Sequence, residues 1–410
     1  MKRRSFLVGS AGGVLSAAAK RTSTGHAQGR KSNDDPAVVV VGAGIFGVWT
    51  AFYLQHLGAH VTLIDAYGPG NSRASSGGET RILRSDYGGK HHYTRMNIRA
   101  HELWSSWQEE WKTDFMYSTG RLTFYDESAR ERMISTTQYL ESEGIVSHIL
   151  SQEEISYRWP QIDSTNIGFG VYYPGDAGGS ALMAREACRI VGEKFQEIGG
   201  HLLIDKVSIT AKRPRFTHVL RDGSPLSAEK VVFACGPWMG KMFPDLFGKK
   251  LNVYRRDVFF VGPKAGDDQY SYPNLPIWSF NNAEDSRFYG LPDIRGRGVK
   301  IAPWPDMNSI DMDHDDRFNN QAEIKRIRSF IKRRFPGLVD QPFLEGRVCQ
   351  LTFNKDEEFI IDQHPEDENV WFACGGSGHA FKHGPALGEY IAKRVLGMET
   401  PKEYQGKFRL

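Results

Sequence analysis

The chain has 410 residues, 40% of them hydrophobic and 25% charged, with 43 glycines and 19 prolines. This composition argues against disordered, collagenous and coiled-coil classes and predicts a buried core in about two or three domains. The net charge of +3 sits at the amino terminus: residues 1–27 hold five basic residues and no acid, leaving 47 basic against 49 acidic residues. That balance offers no general field for nucleic acid, and no apolar run approaches the roughly 20 residues that span a bilayer, so no stable membrane insertion is expected.

The chain starts with Lys2-Arg3-Arg4-Ser5-Phe6-Leu7, continues through a weakly apolar, Gly/Ala-rich stretch to residue 19, and reaches Gly25-His26-Ala27. This is the order of a signal peptide, and the paired arginines point to the twin-arginine machinery. Residues 1–27 are therefore expected to direct export to the periplasm or beyond the cell. Four cysteines without CxxC spacing are no disulfide scaffold. Cys188, Cys235 and Cys374 read as buried core thiols.

Next comes Ala37-Val38-Val39-Val40-Val41, a β-branched run of the kind that forms a parallel strand buried on both faces. It runs into Gly42-Ala43-Gly44-Ile45-Phe46-Gly47. Gly42 allows the tight turn, Gly44 lets a pyrophosphate approach the backbone, and Gly47 lets the helix pack close to the strand. A helix over 45–57, a stop at Gly58, a strand over 61–64 and Asp65 complete the pattern, Asp65 standing where a carboxylate takes ribose hydroxyls. A dinucleotide is expected here, its phosphates on the helix amino terminus.

The long loop of small residues from 68 to 81 does not continue a regular alternation of strands and helices. It suits either a large planar ring approached by backbone N–H groups or a flexible surface loop. Two later apolar runs also end in glycine, Val231-Val232-Phe233-Ala234-Cys235-Gly236 and Val370-Trp371-Phe372-Ala373-Cys374-Gly375. Three such strands scattered along the chain imply one nucleotide domain assembled from discontinuous pieces, since ligands bind at strand carboxyl ends in open α/β sheets. Between them, residues 119–177 and 251–345 are rich in aromatic residues, proline and asparagine, with short alternating runs expected to form an antiparallel sheet solvated on one face. The expected fold is thus α/β (α+β overall): a Rossmann-like domain from 36–118, 178–250 and 346–398, with an inserted substrate domain from 119–177 and 251–345. By alternation alone, Lys300 in Val299-Lys300-Ile301 is a solvated edge lysine and Cys349 a buried thiol. The thirteen histidines show no ligand spacing, so no metal is expected.

The glycine motif with Asp65, Glu79-Thr80-Arg81-Ile82-Leu83-Arg84, Arg347-Val348-Cys349, Phe359-Ile360-Ile361-Asp362-Gln363-His364-Pro365 and Gly376-Ser377-Gly378-His379-Ala380-Phe381-Lys382 occur in this order. With these motifs the chain resembles the monomeric sarcosine oxidase, N-methyltryptophan oxidase and pipecolate oxidase group of FAD-dependent amine oxidases over nearly everything after residue 36. The resemblance implies FAD, attached through Cys349. It places Gly42, Gly44, Ile45, Phe46, Gly47, Asp65, Ala66, Thr80, Arg81, Val207, Gly236, Trp238, Gly376, Gly378, His379 and Lys382 around the cofactor. It makes Arg84 and Lys382 the clamp for a substrate carboxylate, Tyr289 a substrate-facing tyrosine, and Lys300 the cation that promotes reaction with oxygen.

The implied activity is oxidation of the C–N bond of a secondary amino acid, N-methyl or cyclic, with oxygen reduced to hydrogen peroxide by a protein acting as a monomer. Alternatives are a dehydrogenase serving a periplasmic or membrane acceptor, or an exported flavoprotein without turnover. Three positions depart from the sarcosine oxidase pattern. Ser76-Gly77-Gly78-Glu79 replaces paired histidines, Trp304 replaces a histidine, and Leu351 replaces a tyrosine. A substrate larger or more apolar than sarcosine is therefore expected.

Overall fold

The computed structural model describes residues 37–211, 217–223, 228–285, 288–304 and 309–410. The expected export segment lies outside them.

A six-stranded sheet carries the β-branched run. Its central strand Ala37–Val41 pairs in parallel with His60–Asp65 on one side and Lys230–Phe233 on the other. Asp367–Cys374 lies next to Lys230–Phe233, so the three glycine-ended strands are neighbours and their carboxyl ends share one edge. Val38 to Val41 are all buried, as a strand covered on both faces requires. One cover is the helix Ile45–His56, which is apolar nearly all round and buried along its length. It lies against the helix Gly384–Val395, where a Cβ on Gly388 would meet Trp49 Cβ at 2.5 Å. Only hydrogen at that position lets the two backbones approach so closely.

The second sheet has eight strands, Arg121–Tyr125, His148–Leu150, Phe169–Tyr173, Leu251–Val261, Ile277–Asn281, Tyr289–Leu291, Val299–Ala302 and Phe343–Asn354. It is mixed, because Ile277–Asn281 runs parallel to Arg121–Tyr125. The expected solvated face is absent from its middle. Leu122, Phe124, Trp278, Phe280, Phe259, Val299 and Ile301 pack with Ile327, Phe330 and Ile331 of the helix Gln321–Arg334. The alternate residues, among them Tyr125, Ser279, Val258 and Lys300, line a cavity instead of meeting water. The strand Phe343–Asn354 belongs to this sheet from end to end, pairing along Leu251–Val261, and thus runs across the 345/346 boundary expected from sequence.

Candidate active site

The two sheets border one cavity of about 1080 Å³. At its nucleotide end Gly42 has φ +101°, and a Cβ there would lie 2.5 Å from the Ala234 carbonyl oxygen. A Cβ on Gly47 would fall 1.7 Å from the Gly42 carbonyl oxygen, so Gly47 serves the strand–helix packing and does not line the cavity. Gly44, Ile45, Phe46, Asp65 and Ala66 do line it. Asp65 binds the loop around it: Oδ2 accepts from Ala43 N at 2.8 Å and Oδ1 from Tyr67 N and Gly68 N. Val207, Gly236 and Trp238 line the same end, and Trp238 Nε1 donates to Asp313 Oδ1 at 2.8 Å. Ser76 was missed as a contributor; its Oγ accepts from Ile45 N at 2.9 Å and so caps one of the helix's free donors.

Farther along, Arg81 folds back to donate from Nη1 to Thr80 O at 2.7 Å and from Nη2 to Ser75 O. This gives the first departure a physical reason. A Cβ on Gly78 would meet Arg81 Nη1 at 2.6 Å, so any larger residue there displaces the guanidinium. Thr80 itself does not line the cavity, but its carbonyl also accepts from Lys300 Nζ at 2.8 Å. Lys300 is only 3% exposed, against the solvated position read from alternation. Its ammonium lies 5.6 Å from the centre of the Tyr289 ring. Burial pushes Lys300 down to about 8. Burial would raise Tyr289, but the cations Lys300, Arg256 and Arg81 prevail and hold it at about 8. Cys349 is buried on the cavity wall directly opposite Arg256. Cys235, expected in the core, is half-buried on the same wall as Gly236.

Arg84 and Lys382, nearly 300 residues apart in sequence, meet at Tyr87. Lys382 Nζ donates to the Tyr87 hydroxyl at 2.7 Å, and the Arg84 guanidinium carbon lies 5.0 Å from the Tyr87 ring centre. Both line the cavity. Arg84 uses Nη1 on Asp86, at 2.6 Å to its carbonyl and 3.2 Å to Oδ1. Its other nitrogens have no acceptor among the described residues. Burial first, then the charge of Arg84, pushes Lys382 well below the ordinary lysine value. The Tyr87 hydroxyl also lies 2.7 Å from His383 Nε2 and 3.2 Å from His379 Nδ1. Burial and Lys382 keep both imidazoles well below their usual range. Tyr87 carries this cluster and was missed, because nothing in its sequence neighbourhood marks it. Gly376, Gly378 and His379 complete the wall, Gly378 in a left-handed turn at φ +73°.

The site fits FAD. The Gly42 cradle and helix terminus suit a pyrophosphate, the cavity continues to Cys349, and the hydroxyls of Ser75 and Thr352 are buried on its wall without a partner among the described residues. The family model described as FAD dependent oxidoreductase matches residues 37–394. The chain belongs to this family. Among similar proteins are monomeric sarcosine oxidase from Bacillus sp. (strain B-0618), 28% identical over 375 residues covering 88% of this chain and 93% of that one. N-methyl-L-tryptophan oxidase from Yersinia pestis is 27% identical, covering 90% and 96%. A crystal structure of a fructosyl peptide oxidase mutant shares the fold with TM-score 0.78 at 21% identity, covering 91% and 93%. As an FAD-dependent oxidoreductase, the chain has its dinucleotide end and its clustered cations on one continuous wall.

Proposed function

We propose that this oxidoreductase oxidises the C–N bond of a secondary amino acid, with dioxygen as electron acceptor. The observation that carries the reading is the convergence of Arg84 and Lys382 on Tyr87 within the cavity that also holds the Gly42 turn, Cys349 and Lys300. A carboxylate there meets a guanidinium with free donors and an amine whose charged form a bound anion favours. Loss of two electrons and two protons from the CH–NH unit leaves a C=N bond, which water splits into a carbonyl compound and an amine. Dioxygen takes the two electrons and two protons and leaves as hydrogen peroxide. Bound FAD supplies the two-electron carrier between the two. Lys300 holds a buried positive charge where oxygen gains negative charge, the arrangement that stabilises such a step most strongly in a dry site. A panel of N-methyl and cyclic amino acids should bleach the flavin absorbance of the holoenzyme under nitrogen. If no member bleaches it, the activity is wrong.

The same reading attaches the flavin's 8α-methyl carbon to Cys349 Sγ. The hydrogens lost from carbon and sulfur leave with two electrons, for which dioxygen is the final acceptor. Support comes from the place of Cys349, which lies on the cavity wall beside the Tyr289–Lys300 pair and not in the core with Cys188. Acid-precipitated protein is expected to stay yellow, and the Cys349→Ser variant to release its flavin into the supernatant. A colourless wild-type pellet would sink the tether.

A further inference from the structure

Arg256 belongs to none of the sequence motifs. It stands on the strand Leu251–Val261 beside Arg255, and alternation sends the two guanidiniums to opposite faces. Arg255 meets Asp257, Asp315 and Asp316. Arg256 faces the cavity and is 7% exposed. No carboxylate among the described residues pairs with it. Nη1 makes one long hydrogen bond, 3.3 Å to the Tyr289 hydroxyl, and Nε and Nη2 are buried with no acceptor among the described residues.

The guanidinium carbon lies 4.9 Å from the Trp304 ring centre and 5.4 Å from that of Tyr289. Ring faces offset part of the desolvation but accept none of the in-plane N–H groups. The other cations acting on Tyr289, Lys300 and Arg81, donate to backbone carbonyls, and Arg84 and Arg121, elsewhere on the cavity wall, share Asp86. A buried guanidinium without an acceptor among the described residues is costly, and an anionic group on the ligand would relieve it.

We propose that Arg256 binds a second anionic group of the substrate: the amino acid oxidised carries a side-chain carboxylate, held against Trp304 and Tyr289 while the α-carboxylate lies under Arg84 and Lys382. The proposal rests on the amino acid oxidation argued above and narrows its substrate class. It also revises the expectation of a more apolar substrate. Trp304 and Leu351 remove polar competitors and water from around a charge, and so strengthen its pairing with an incoming carboxylate.

The test compares side-chain acids with their isosteric amides, N-methylglutamate against N-methylglutamine and N-methylaspartate against N-methylasparagine, in anaerobic flavin bleaching by the holoenzyme. The acid should be preferred at least about tenfold, and Arg256→Gln should cost the acid about 100-fold, at least about tenfold more than it costs the amide. Arg256→Lys, which keeps the charge, should retain part of the preference. Equal rates for acid and amide in the wild type, or equal losses for both in the variant, overturn the proposal. Should Arg256→Gln fail to fold or to hold flavin, the wild-type ratio and the lysine variant decide. Bleaching by sarcosine or proline but by none of the acids sinks Arg256 alone. If no amino acid bleaches the flavin, the oxidation reading falls. In that event calorimetric binding of glutarate against butyrate still tests the arginine: glutarate should bind at least about tenfold more tightly, and equal affinity overturns its role.

Discussion

Replacing Lys300 with methionine is expected to slow oxygen's reaction with the substrate-reduced holoenzyme by about 100- to 1000-fold. Anaerobic reduction by substrate should change by no more than a few-fold. The lysine amine is buried, anchored to Thr80 O at 2.8 Å, and lies beside the Tyr289 ring. Methionine keeps an unbranched side chain of similar length and removes the charge together with its hydrogen bond to Thr80 O, so a loss confined to the oxygen half-reaction points to the electrostatic role. Stopped-flow mixing with oxygen and, separately, with substrate under nitrogen measures the two halves. Equal losses in both would make Lys300 a packing residue, and no loss in either would remove it from the chemistry.

The pH profile gives a second, independent reading of the same group. Burial lowers the Lys300 pKa from 10.5 to about 8. The charged form therefore dominates below that value and is lost as pH rises through it. The oxygen rate should be flat through neutrality and fall above about pH 8, well before an unburied lysine would titrate. Tyr289 titrates in the same range, since Lys300, Arg256 and Arg81 outweigh the burial that would raise it. Tyr289→Phe separates them, because the alkaline fall persists in that variant if Lys300 causes it.

Much of the nucleotide half was legible because its determinants are local. The run 37–41, the glycines at 42, 44 and 47, and Asp65 act within about thirty residues of one another. Their roles follow from backbone geometry that a sequence states directly. The expected helix over 45–57 is found as Ile45–His56, and the second strand as His60–Asp65. The substrate half was harder. Alternation separates Lys300 from Val299 and Ile301 correctly, but it cannot say whether the other face meets water or a cavity. Here that face lines the cavity that the nucleotide strands also border. Arg256 was invisible for the same reason, since two adjacent arginines on a strand look alike until one is found among Asp257, Asp315 and Asp316 and the other against Trp304. Tyr87 and Ser76 act only through contacts with segments that the fold brings in from elsewhere, so no local pattern could mark them.

The clamp yields the second large effect. Lys382→Met should lower kcat/KM for anaerobic reduction by an amino acid by about 100-fold, since one of two charged partners of a buried carboxylate is removed. Its distinguishing signature is a proton. Burial and Arg84 hold Lys382 well below its ordinary pKa, which favours the neutral amine more than in an ordinary lysine. An anion placed beside it raises that pKa, so binding should be accompanied by proton uptake. Calorimetric titration with acetate, which has no ammonium group of its own, in buffers of different ionisation enthalpy reads this uptake directly. The neighbours could in principle contribute: His379 and His383 are depressed by burial and by Lys382 itself, while Asp86 is held ionised by Arg121 and Arg84 against the burial that opposes it. Uptake that disappears in Lys382→Met assigns the proton to the lysine. Uptake that persists assigns it to the imidazoles, and wild-type binding with no uptake at all would mean that Lys382 is already charged or does not touch the carboxylate.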